Sequence, residues 1–330
     1  MPFAPPQNPS QPVDLNGVEG VEYVSKKQEY MASPALKDHE KTEGTIGLGY
    51  RVPMIIASPW TKGGFVNSEV SDHTSVLMFL ENFIRKKFNK DVTVDNISEW
   101  RRAICGDLTS AFNSSSILIP EMNYLDQKEY AKAINSAKNK PIPYLRWYEE
   151  SELDSNILDI QERGTRPSNA LPYNFHVNLE NDKIIMKNLK EKAVPLIIYD
   201  RTKFKEDHFY FSYTLYAKQE LSHIVHSGVY DYEIFGPNGF YRNFKGNNTS
   251  ELKISLINYP SKNMVELFIE KTHENNNVVI VEDLYKKNQA STIHQTEKLK
   301  FNLDKTKGWY DLKIISDDNI WHFAGRLETG

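Results

Sequence analysis

Apolar and polar positions follow different patterns in the two halves of this 330-residue chain. The first half contains one short apolar run, Val52 to Ala57, with glycines before it and Ser58-Pro59-Trp60 after it. A run without polar alternation is typical of a strand that is covered on both faces, as in a parallel sheet. The pattern therefore predicts a buried strand at Val52 to Ala57.

A helix is predicted shortly after this strand. It opens near Ser71-Asp72, whose side chains can accept hydrogen bonds from the free N–H groups of the first turn. Apolar residues follow at helical spacing, and cations stand at the end, where a helix C-terminus favours them. These are Val76, Leu77, Leu80, Phe83 and Ile84, then Arg85, Lys86 and Lys87. Strand, loop and helix together predict polar residues at the carboxyl edge of an α/β sheet, where ligands usually bind.

From Thr165 onward the pattern indicates strands. Short β-branched and aromatic runs are separated by Asn, Asp, Gly and Pro, at spacings that are typical of sandwiches. The predicted strands are FHVNLE, VPLIIYD, FYFSYTLYA, GVYDYEIF, LKISLINY, MVELFIEK, NVVIVEDLY, KLKFNLD, GWYDLKII and WHFAGRLE.

This β half contains an internal repeat. The segment that begins GVYD at Gly228 matches the segment that begins GWYD at Gly308, and FKG at 244–246 echoes FAG at 323–325. Two copies of one β unit are the economical explanation, and they place Tyr230 and Tyr310 at equivalent strand positions. The alternative is that G-x-Y-D is a turn-and-strand signal that recurs by chance.

The chain therefore divides into an α/β part at 1–164, a first β repeat at 165–250 and a second at 251–330. Within the first part, residues 1–45 are proline-rich and charged, which predicts an irregular surface connection. Lys128 to Lys138 predicts a further, modest helix.

Composition excludes several function classes. The net charge of −4 gives no electrostatic case for binding nucleic acid or an anionic membrane surface. No apolar run approaches the roughly 18 residues of a transmembrane helix, and the N-terminus lacks the regions of a signal peptide. The single cysteine, Cys105, excludes an internal disulfide and a cysteine metal cluster. It is interpreted as a small buried residue rather than a catalytic one.

Three motifs, in the same order, carry a family resemblance. They are GLGYRVPMIIASPW at 47–60, GGFVNSEVSDHTSVLMFLE at 63–81 and WRRAICGDLTSAF at 100–112. They resemble the bacterial phosphocholine-specific, non-haemolytic-type phospholipases C, phosphoesterases with an alkaline-phosphatase-like α/β core. The resemblance covers essentially the whole chain, as the C-terminal part of the family protein. It implies the end of an α/β core followed by two tandem β domains, so the fold class expected is α/β and then all-β sandwich-like repeats.

The resemblance also implies an activity. Family enzymes hydrolyse phosphatidylcholine-type lipids to diacylglycerol and phosphocholine with the help of a divalent metal ion, and they are exported. Their hydroxyl nucleophile and main metal ligands lie on strands that precede the part matched here. No counterpart is found in this chain, so no metal ligand is assigned and the chain alone is expected to be inactive. It is expected to begin at an internal methionine of a longer protein, whose N-terminal catalytic half is missing, and its own location is left open.

Asp72-His73-Thr74 is the candidate site in this chain. A helix N-terminus favours an anion, so we expect His73 to contact the phosphate or the metal, Asp72 to orient His73, and Thr74 to bind substrate. The alternative is that Asp72 and Thr74 only cap the helix and that His73 packs against the loop.

Other candidates are weaker. Arg51 could bind phosphate, and Trp60 could join Tyr50 and Trp100 in an aromatic cage for a quaternary ammonium group. Ordinary packing of these aromatic side chains is the alternative. Arg101 and Arg102 could likewise bind phosphate, and for all three arginines a solvated or salt-bridged face is the commoner fate. His223 and His226 could bind a metal if they were helical, and a surface loop is the alternative.

Two other function classes remain as alternatives to the phospholipase interpretation. The chain could be a catalytically silent module that binds lipid or protein through its β domains. It could also be a truncated gene product, in which case an orphaned sheet edge exposing Val52, Met54 and Ile55 would promote aggregation.

Overall fold

The computed structural model describes residues 54–112, 126–141, 167–203, 210–247, 252–271, 278–285 and 290–329, together with Leu48 and two short strands. These strands, β1 (Tyr23–Val24) and β2 (Gly44–Thr45), pair in the antiparallel sense. Most of the described secondary structure is β-sheet, and the described α-helices all precede the main sheets. Within the described residues, no helix combines the length and the apolar character that crossing a membrane requires.

The described helices are α1 (Thr74–Phe88), α2 (Glu99–Ile104) and α3 (Gln127–Ala137). The predicted helix after Ser71-Asp72 is therefore confirmed as α1, and the predicted helix at 128–138 is confirmed as α3. α1 ends at Asn89, which adopts the left-handed conformation common at helix C-termini.

The predicted buried strand at Val52 to Ala57 is wrong in its described part. Residues 54–57 form no strand, and Ile55 is 94% exposed. Val52 itself lies outside the described residues. An apolar run becomes a strand only where a neighbour completes its backbone hydrogen bonds. Among the described residues nothing pairs with 54–57, and the expected parallel sheet is not seen there.

α1 also turns a different face inward from the one that its apolar spacing predicts. Its buried residues are Ser75, Met78 and Glu81. At 100° per residue, the apolar stripe lies on nearly the opposite side of the helix. Four of its predicted core positions are 40–45% exposed, namely Val76, Leu77, Leu80 and Phe83.

The second half forms two antiparallel sheets. The strands are β3 (Phe175–Glu180), β4 (Lys183–Asn188), β5 (Val194–Asp200), β6 (Tyr210–Leu215), β7 (Glu220–Ile224), β8 (Tyr230–Phe235), β9 (Tyr241–Gly246), β10 (Lys253–Tyr259), β11 (Met264–Glu270), β12 (Val279–Asp283), β13 (Ala290–Ile293), β14 (Glu297–Asn302), β15 (Trp309–Ser316) and β16 (Asn319–Arg326). A six-stranded sheet has the order β14-β11-β10-β3-β4-β7, and an eight-stranded sheet has the order β13-β12-β15-β16-β9-β8-β5-β6. One continuous apolar core joins the two, so this part is a β-sandwich.

The two sequence repeats share both sheets. Strands β3 to β9 and strands β10 to β16 occupy equivalent places in the same order. The repeats meet where β10 pairs with β3 in one sheet and where β16 pairs with β9 in the other. They therefore form one continuous sandwich and not two separate ones.

A tyrosine-glycine pair marks the equivalent position in each repeat. Tyr230 lies opposite Gly246, and Tyr310 lies opposite Gly325. A Cβ atom on Gly246 would lie 2.8 Å from the Tyr230 hydroxyl, and one on Gly325 would lie 2.6 Å from the Tyr310 hydroxyl. The predicted equivalence of the two tyrosines is confirmed, because each pairs with a glycine on the next strand and places its hydroxyl close to where a Cβ atom of that glycine would lie.

The helical segment docks on the first repeat through polar bonds around one buried ring. Trp100 of α2 is 2% exposed, and its Nε1 donates to Thr214 Oγ1 in β6 at 3.1 Å. The backbone N–H of Val70 donates to the Tyr173 hydroxyl at 3.0 Å. These bonds place the N-terminus of α1 near the start of the sandwich.

Candidate functional site

The N-terminus of α1 is organised by the buried carboxylate of Asp72. Its Oδ1 accepts hydrogen bonds from the backbone N–H of Thr74 at 2.8 Å and from Thr74 Oγ1 at 2.6 Å. In return, Ser75 Oγ accepts a hydrogen bond from the Asp72 N–H at 3.0 Å. The bond from the Thr74 N–H satisfies a group that a helix start leaves free, so the Asp72 side chain caps the first turn, and the Thr74 hydroxyl adds a second bond to it.

Arg101 of α2 engages the other oxygen of Asp72, with Nη1 donating to Oδ2. Burial by itself would raise the pKa of Asp72, but the hydrogen bonds from Thr74 and Arg101 outweigh it. The pKa of Asp72 therefore lies below its usual value, and the carboxylate is ionised at neutral pH.

His73 is exposed at the N-cap position, and its side chain makes no capping hydrogen bond. Among the described contacts, no hydrogen bond joins Asp72 to His73: Asp72 Oδ1 accepts from Thr74, and Oδ2 accepts from Arg101. The imidazole is thus open to solvent at a helix start. Its expected role toward a phosphate or a metal stays a prediction.

A second ion pair ties α1 to α2. Arg102 Nη1 and Nη2 donate to the two oxygens of Glu81 at 2.8 and 2.9 Å. Glu81 also accepts from the Val94 N–H at 2.7 Å. The hydrogen bond from Arg102 outweighs burial, so the pKa of Glu81 lies below its usual value. The bidentate geometry fixes the rotation of α1 and explains why its polar face is buried.

A polar cleft of about 350 Å³ lies beside this pair, lined in part by Glu69, Asn82, Asp107 and Lys192. Lys192 precedes β5, so the cleft spans the helical segment and the sandwich. Its Nζ donates to the Cys105 carbonyl and lies 3.8 Å from Glu69. Asn82 donates to Asp107. Carboxylates and their partners alternate around the cleft, which therefore carries no large local charge of one sign.

Cys105 lines the same cleft but is buried. Burial raises the pKa of its thiol, so the sulfur is protonated and a poor nucleophile at neutral pH. The interpretation of Cys105 as a small buried residue is confirmed.

The described residues do not fit a metal site. No group of three or more His, Cys, Asp or Glu side chains is placed in that part of the chain to hold an ion. The two buried carboxylates of α1 and its N-terminus, Asp72 and Glu81, each bind an arginine. A metal ion at either carboxylate would have to displace these cations.

Of the aromatic residues proposed for a cage, the two that the structure describes, Trp60 and Trp100, lie in different surroundings. Trp60 is 63% exposed in a turn that begins at Ser58, whereas Trp100 is 2% exposed in the core under α2. Tyr50 and Arg51 lie outside the described residues. Trp100 therefore has a packing role, and the binding roles expected of Arg51 and Trp60 stay predictions. Arg101 and Arg102 both form ion pairs, as expected for them.

The sequence predicted that His223 lies either in a metal-binding helix or in a surface loop. Both predictions are wrong for this residue, because His223 lies in β7. It is 8% exposed, and its Nδ1 lies 2.8 Å from the Tyr213 hydroxyl. Burial lowers its pKa to about 4, so the imidazole is neutral at pH 7.

Sequence reasoning missed Glu69, Glu81 and Lys192. The only signal for Glu81 is that it interrupts the apolar run VLMFLENFI of α1. Nothing in the local pattern distinguishes Glu69 or Lys192, because both meet their partners through tertiary contacts.

Two family models match separate segments of this chain. The phosphoesterase family model matches residues 4–86, which end within α1. The model described as bacterial phospholipase C, C-terminal domain, matches residues 167–247, which include β3 to β9.

Curated relatives match most of the chain. A non-hemolytic phospholipase C of Pseudomonas aeruginosa is 32% identical in an alignment 312 positions long, which covers 86% of this chain and 43% of that protein. A hemolytic phospholipase C of the same organism is 29% identical, over 86% of this chain and 44% of the relative. A non-hemolytic phospholipase C of Burkholderia pseudomallei is 29% identical, over 94% of this chain and 45% of the relative. The chain spans less than half the length of these relatives. It is therefore related to the bacterial phospholipases C, with a phosphoesterase-family segment followed by a phospholipase C C-terminal domain.

Proposed function

We propose that this chain is the C-terminal part of a phospholipase C that hydrolyses phosphatidylcholine-type lipids to diacylglycerol and phosphocholine. The observation that carries the proposal is the match to phospholipases C over 86–94% of this chain but only 43–45% of the relatives. Asp72 at the start of α1 and Glu81 on its inner face each form an ion pair with an arginine. They are therefore suited to holding the helix in place and not to taking part in the reaction.

We further propose that α1 belongs to the end of an alkaline-phosphatase-like α/β core. The support is its exposed apolar stripe, in which Leu77 and Leu80 are 41% and 45% exposed. A helix of an α/β domain buries such a stripe against a sheet. The segment that contains α1 also falls partly within the phosphoesterase match.

In the complete enzyme, residues outside the described ones would supply the hydroxyl nucleophile and the ligands that hold a divalent metal ion. The metal would lower the pKa of the nucleophile and shield the phosphate. His73 is proposed to approach the phosphate, because its side chain is exposed at a helix N-terminus that favours anions. Asp72 and Arg101 would hold that helix start in place.

The alternative function is a binding module without catalysis. It is favoured by a row of ring contacts on the eight-stranded sheet, where Phe235 lies 5.8 Å from Tyr199 and 5.2 Å from Tyr241. Tyr241 in turn lies 5.3 Å from the His322 ring. Partly exposed aromatic side chains of this kind are frequent at interfaces.

The test is hydrolysis of a chromogenic phosphocholine ester. The chain alone is assayed with and without divalent metal ions, beside a chimaera in which it replaces the corresponding part of the Pseudomonas aeruginosa non-hemolytic relative. We expect no turnover by the chain alone and measurable turnover by the chimaera. Turnover by the chain alone would refute the proposal that the catalytic residues lie in another part of the enzyme. An inactive chimaera that folds would favour the binding module.

The role of His73 is tested in the same chimaera. His73→Ala is expected to lower kcat/KM by at least tenfold, which corresponds to about 1.4 kcal/mol. Lys138→Ala, beyond the end of α3, is the control and should leave turnover unchanged. Near-normal turnover of the His73→Ala chimaera would refute this role.

A further inference from the structure

Buried polar atoms without partners are concentrated around one cavity of the sandwich. The cavity measures about 60 Å³ and is lined in part by Asn174, Asn238, Asn258 and Glu328. These residues come from the segment before β3, the β8–β9 turn, the end of β10 and the segment after β16, so the cavity lies where the repeats meet. We call it the junction cavity.

Each of these four residues has a buried polar atom with no hydrogen-bond partner among the described residues. The atoms are Asn174 Oδ1, Asn238 Nδ2, Asn258 Oδ1 and Glu328 Oε2. Folded proteins rarely leave buried polar atoms unsatisfied, because removing them from water without a new partner is unfavourable. Several such atoms around one cavity indicate that it holds a hydrogen-bonding guest.

Fixed charges around the cavity restrict the charge of that guest. The Glu328 side chain is 0% exposed, and its Oε1 accepts from Arg326 Nη1 at 2.5 Å. A second cation lies close by: the fully buried Arg242 stacks 3.9 Å from the Phe240 ring and donates to the Tyr310 hydroxyl at 3.1 Å. Phe240 and Tyr310 both line the cavity.

A cationic guest would be repelled by the two guanidinium groups, and no described carboxylate pairs with Arg242 to offset its charge. An anionic guest would face the free Oε2 of Glu328. In a buried environment of low dielectric constant, both penalties are large. The charge pattern therefore favours a neutral guest.

Hydroxyl groups meet the remaining requirements. Each hydroxyl both donates and accepts, so a polyol can satisfy the acceptors of Asn174, Asn258 and Glu328 as well as the donor of Asn238. This match does not depend on which way the asparagine amides are turned. The rings of Phe175 and Phe240, 4.5 Å apart, supply apolar wall for C–H groups.

Size limits the polyol. A water needs about 10–15 Å³ of such space, so the cavity holds about four to six water-sized groups. Glycerol has six non-hydrogen atoms and fits this limit, whereas a hexose is about twice as large. We propose that the junction cavity binds a neutral polyol of glycerol size, as the free triol or as the glycerol unit of a larger molecule. This site is separate from Asp72, His73 and the rest of the proposed catalytic edge.

Saturation-transfer NMR with glycerol tests the proposal on the full chain. We expect a signal from glycerol that weakens at least fivefold in Asn258→Leu, which removes an unpaired acceptor, and in Glu328→Gln, which exchanges one carboxylate acceptor for an NH2 donor. Asp318→Asn, in the β15–β16 turn and outside the cavity, is the matched control and should keep the signal. Circular dichroism confirms that each variant is folded, and Asn258→Ala, which also removes the Asn258 acceptor, replaces Asn258→Leu if that variant is not.

Further ligands, measured in the same experiment, distinguish between the possible guests. Stronger binding of 1-O-butylglycerol than of glycerol assigns the glycerol unit of a larger molecule, and the reverse assigns the free triol. Absence of a glycerol signal would mean that the cavity holds only water, and this would overturn the proposal. Tighter binding of choline or of inorganic phosphate at the same residues would overturn its neutral-guest argument.

Discussion

Helix α1 and the β-sandwich differ in the side chains that they bury. α1 buries Ser75, Met78 and Glu81 and leaves its apolar stripe outside. The sandwich alternates in the usual sense, and strands such as β11 and β15 bury every second residue. The sandwich therefore has a complete core within the described residues, whereas the helical segment has a smaller apolar cluster around Met78, Trp100 and Ile104, together with ion pairs and its docking on the first repeat.

This difference explains which region can stand alone. Apolar burial is non-directional and accumulates over a whole sheet, so the sandwich does not depend on any single contact. The helical segment depends on a few polar contacts, among them Asp72–Arg101 and Glu81–Arg102. We therefore expect the largest losses of stability from truncating apolar side chains in the sandwich and from removing ion-pair partners in the helical segment.

Two phenylalanines provide the largest contrast. Phe323 of β16 is 0% exposed and Phe83 of α1 is 43% exposed. Phe323→Ala should lower the free energy of unfolding by about 3–5 kcal/mol, because it leaves a cavity in the core. Phe83→Ala is the matched control and should change it by less than about 0.5 kcal/mol. Urea unfolding followed by circular dichroism measures both. Equal losses would show that α1 is packed as tightly as the sandwich.

The ion pairs of α1 give the next contrast. Arg102→Ala leaves the buried Glu81 carboxylate without its partner and should cost about 3 kcal/mol in local stability. Arg85→Ala removes the exposed pair with Asp91 and should cost less than about 0.5 kcal/mol. Hydrogen exchange read by mass spectrometry locates the effect. Faster exchange in α1 and α2 without change in the sandwich is expected. Unaltered exchange in Arg102→Ala would contradict the role given to this pair.

Acid should weaken the sandwich before it weakens the helical segment. Burial lowers the pKa of His176 and of His223 to about 4, below the usual 6.5. The folded chain then binds these protons more weakly than the unfolded chain, so stability is full above pH 6.5 and falls between pH 6.5 and 4. The carboxylates of Asp72 and Glu81 have lowered pKa values, so their contribution is lost only at lower pH.

At pH 5, each buried histidine should lower the free energy of unfolding by on the order of 1–2 kcal/mol relative to pH 7. His223→Gln should therefore reduce the loss of unfolding free energy between pH 7 and pH 5, and the exposed His73→Gln should not. The same slope in His223→Gln as in the parent chain would refute the assignment of this pH dependence to His223.

The sequence predicted strands well where apolar residues alternate. VPLIIYD at 194–200 is β5, and GWYDLKII contains most of β15. It missed β4, β7, β9 and β13. The runs KIIMKN, ELSHI, YRNFKG and ASTI are short and largely polar, and they become strands because neighbouring strands complete their hydrogen bonds. The repeat could be read from the sequence, but the sharing of both sheets by the repeats could not, because it depends on pairing between distant strands.

The candidate site was less predictable than the fold. Asp72 and Thr74 could be read as a helix cap from their position before an amphipathic run. Arg101 and Arg102 could be suspected of pairing, but their partners 21 to 29 residues away could not be named from spacing. The junction cavity left no sequence signal, because Asn174, Asn258 and Glu328 come together only when the two repeats meet.

The smallest expected effect tests the most unusual feature of α1. A double variant, Leu77→Gln with Leu80→Gln, should change the free energy of unfolding by less than about 0.5 kcal/mol, because both side chains are more than two-fifths exposed. It should also reduce self-association in sedimentation velocity, since a contiguous apolar stripe promotes contact between molecules. Met78→Gln is the control on the buried face, 7% exposed, and should destabilise the chain. A loss above about 2 kcal/mol in the double variant would mean that the chain itself covers this stripe, and the argument for a larger core packed on α1 would then fail.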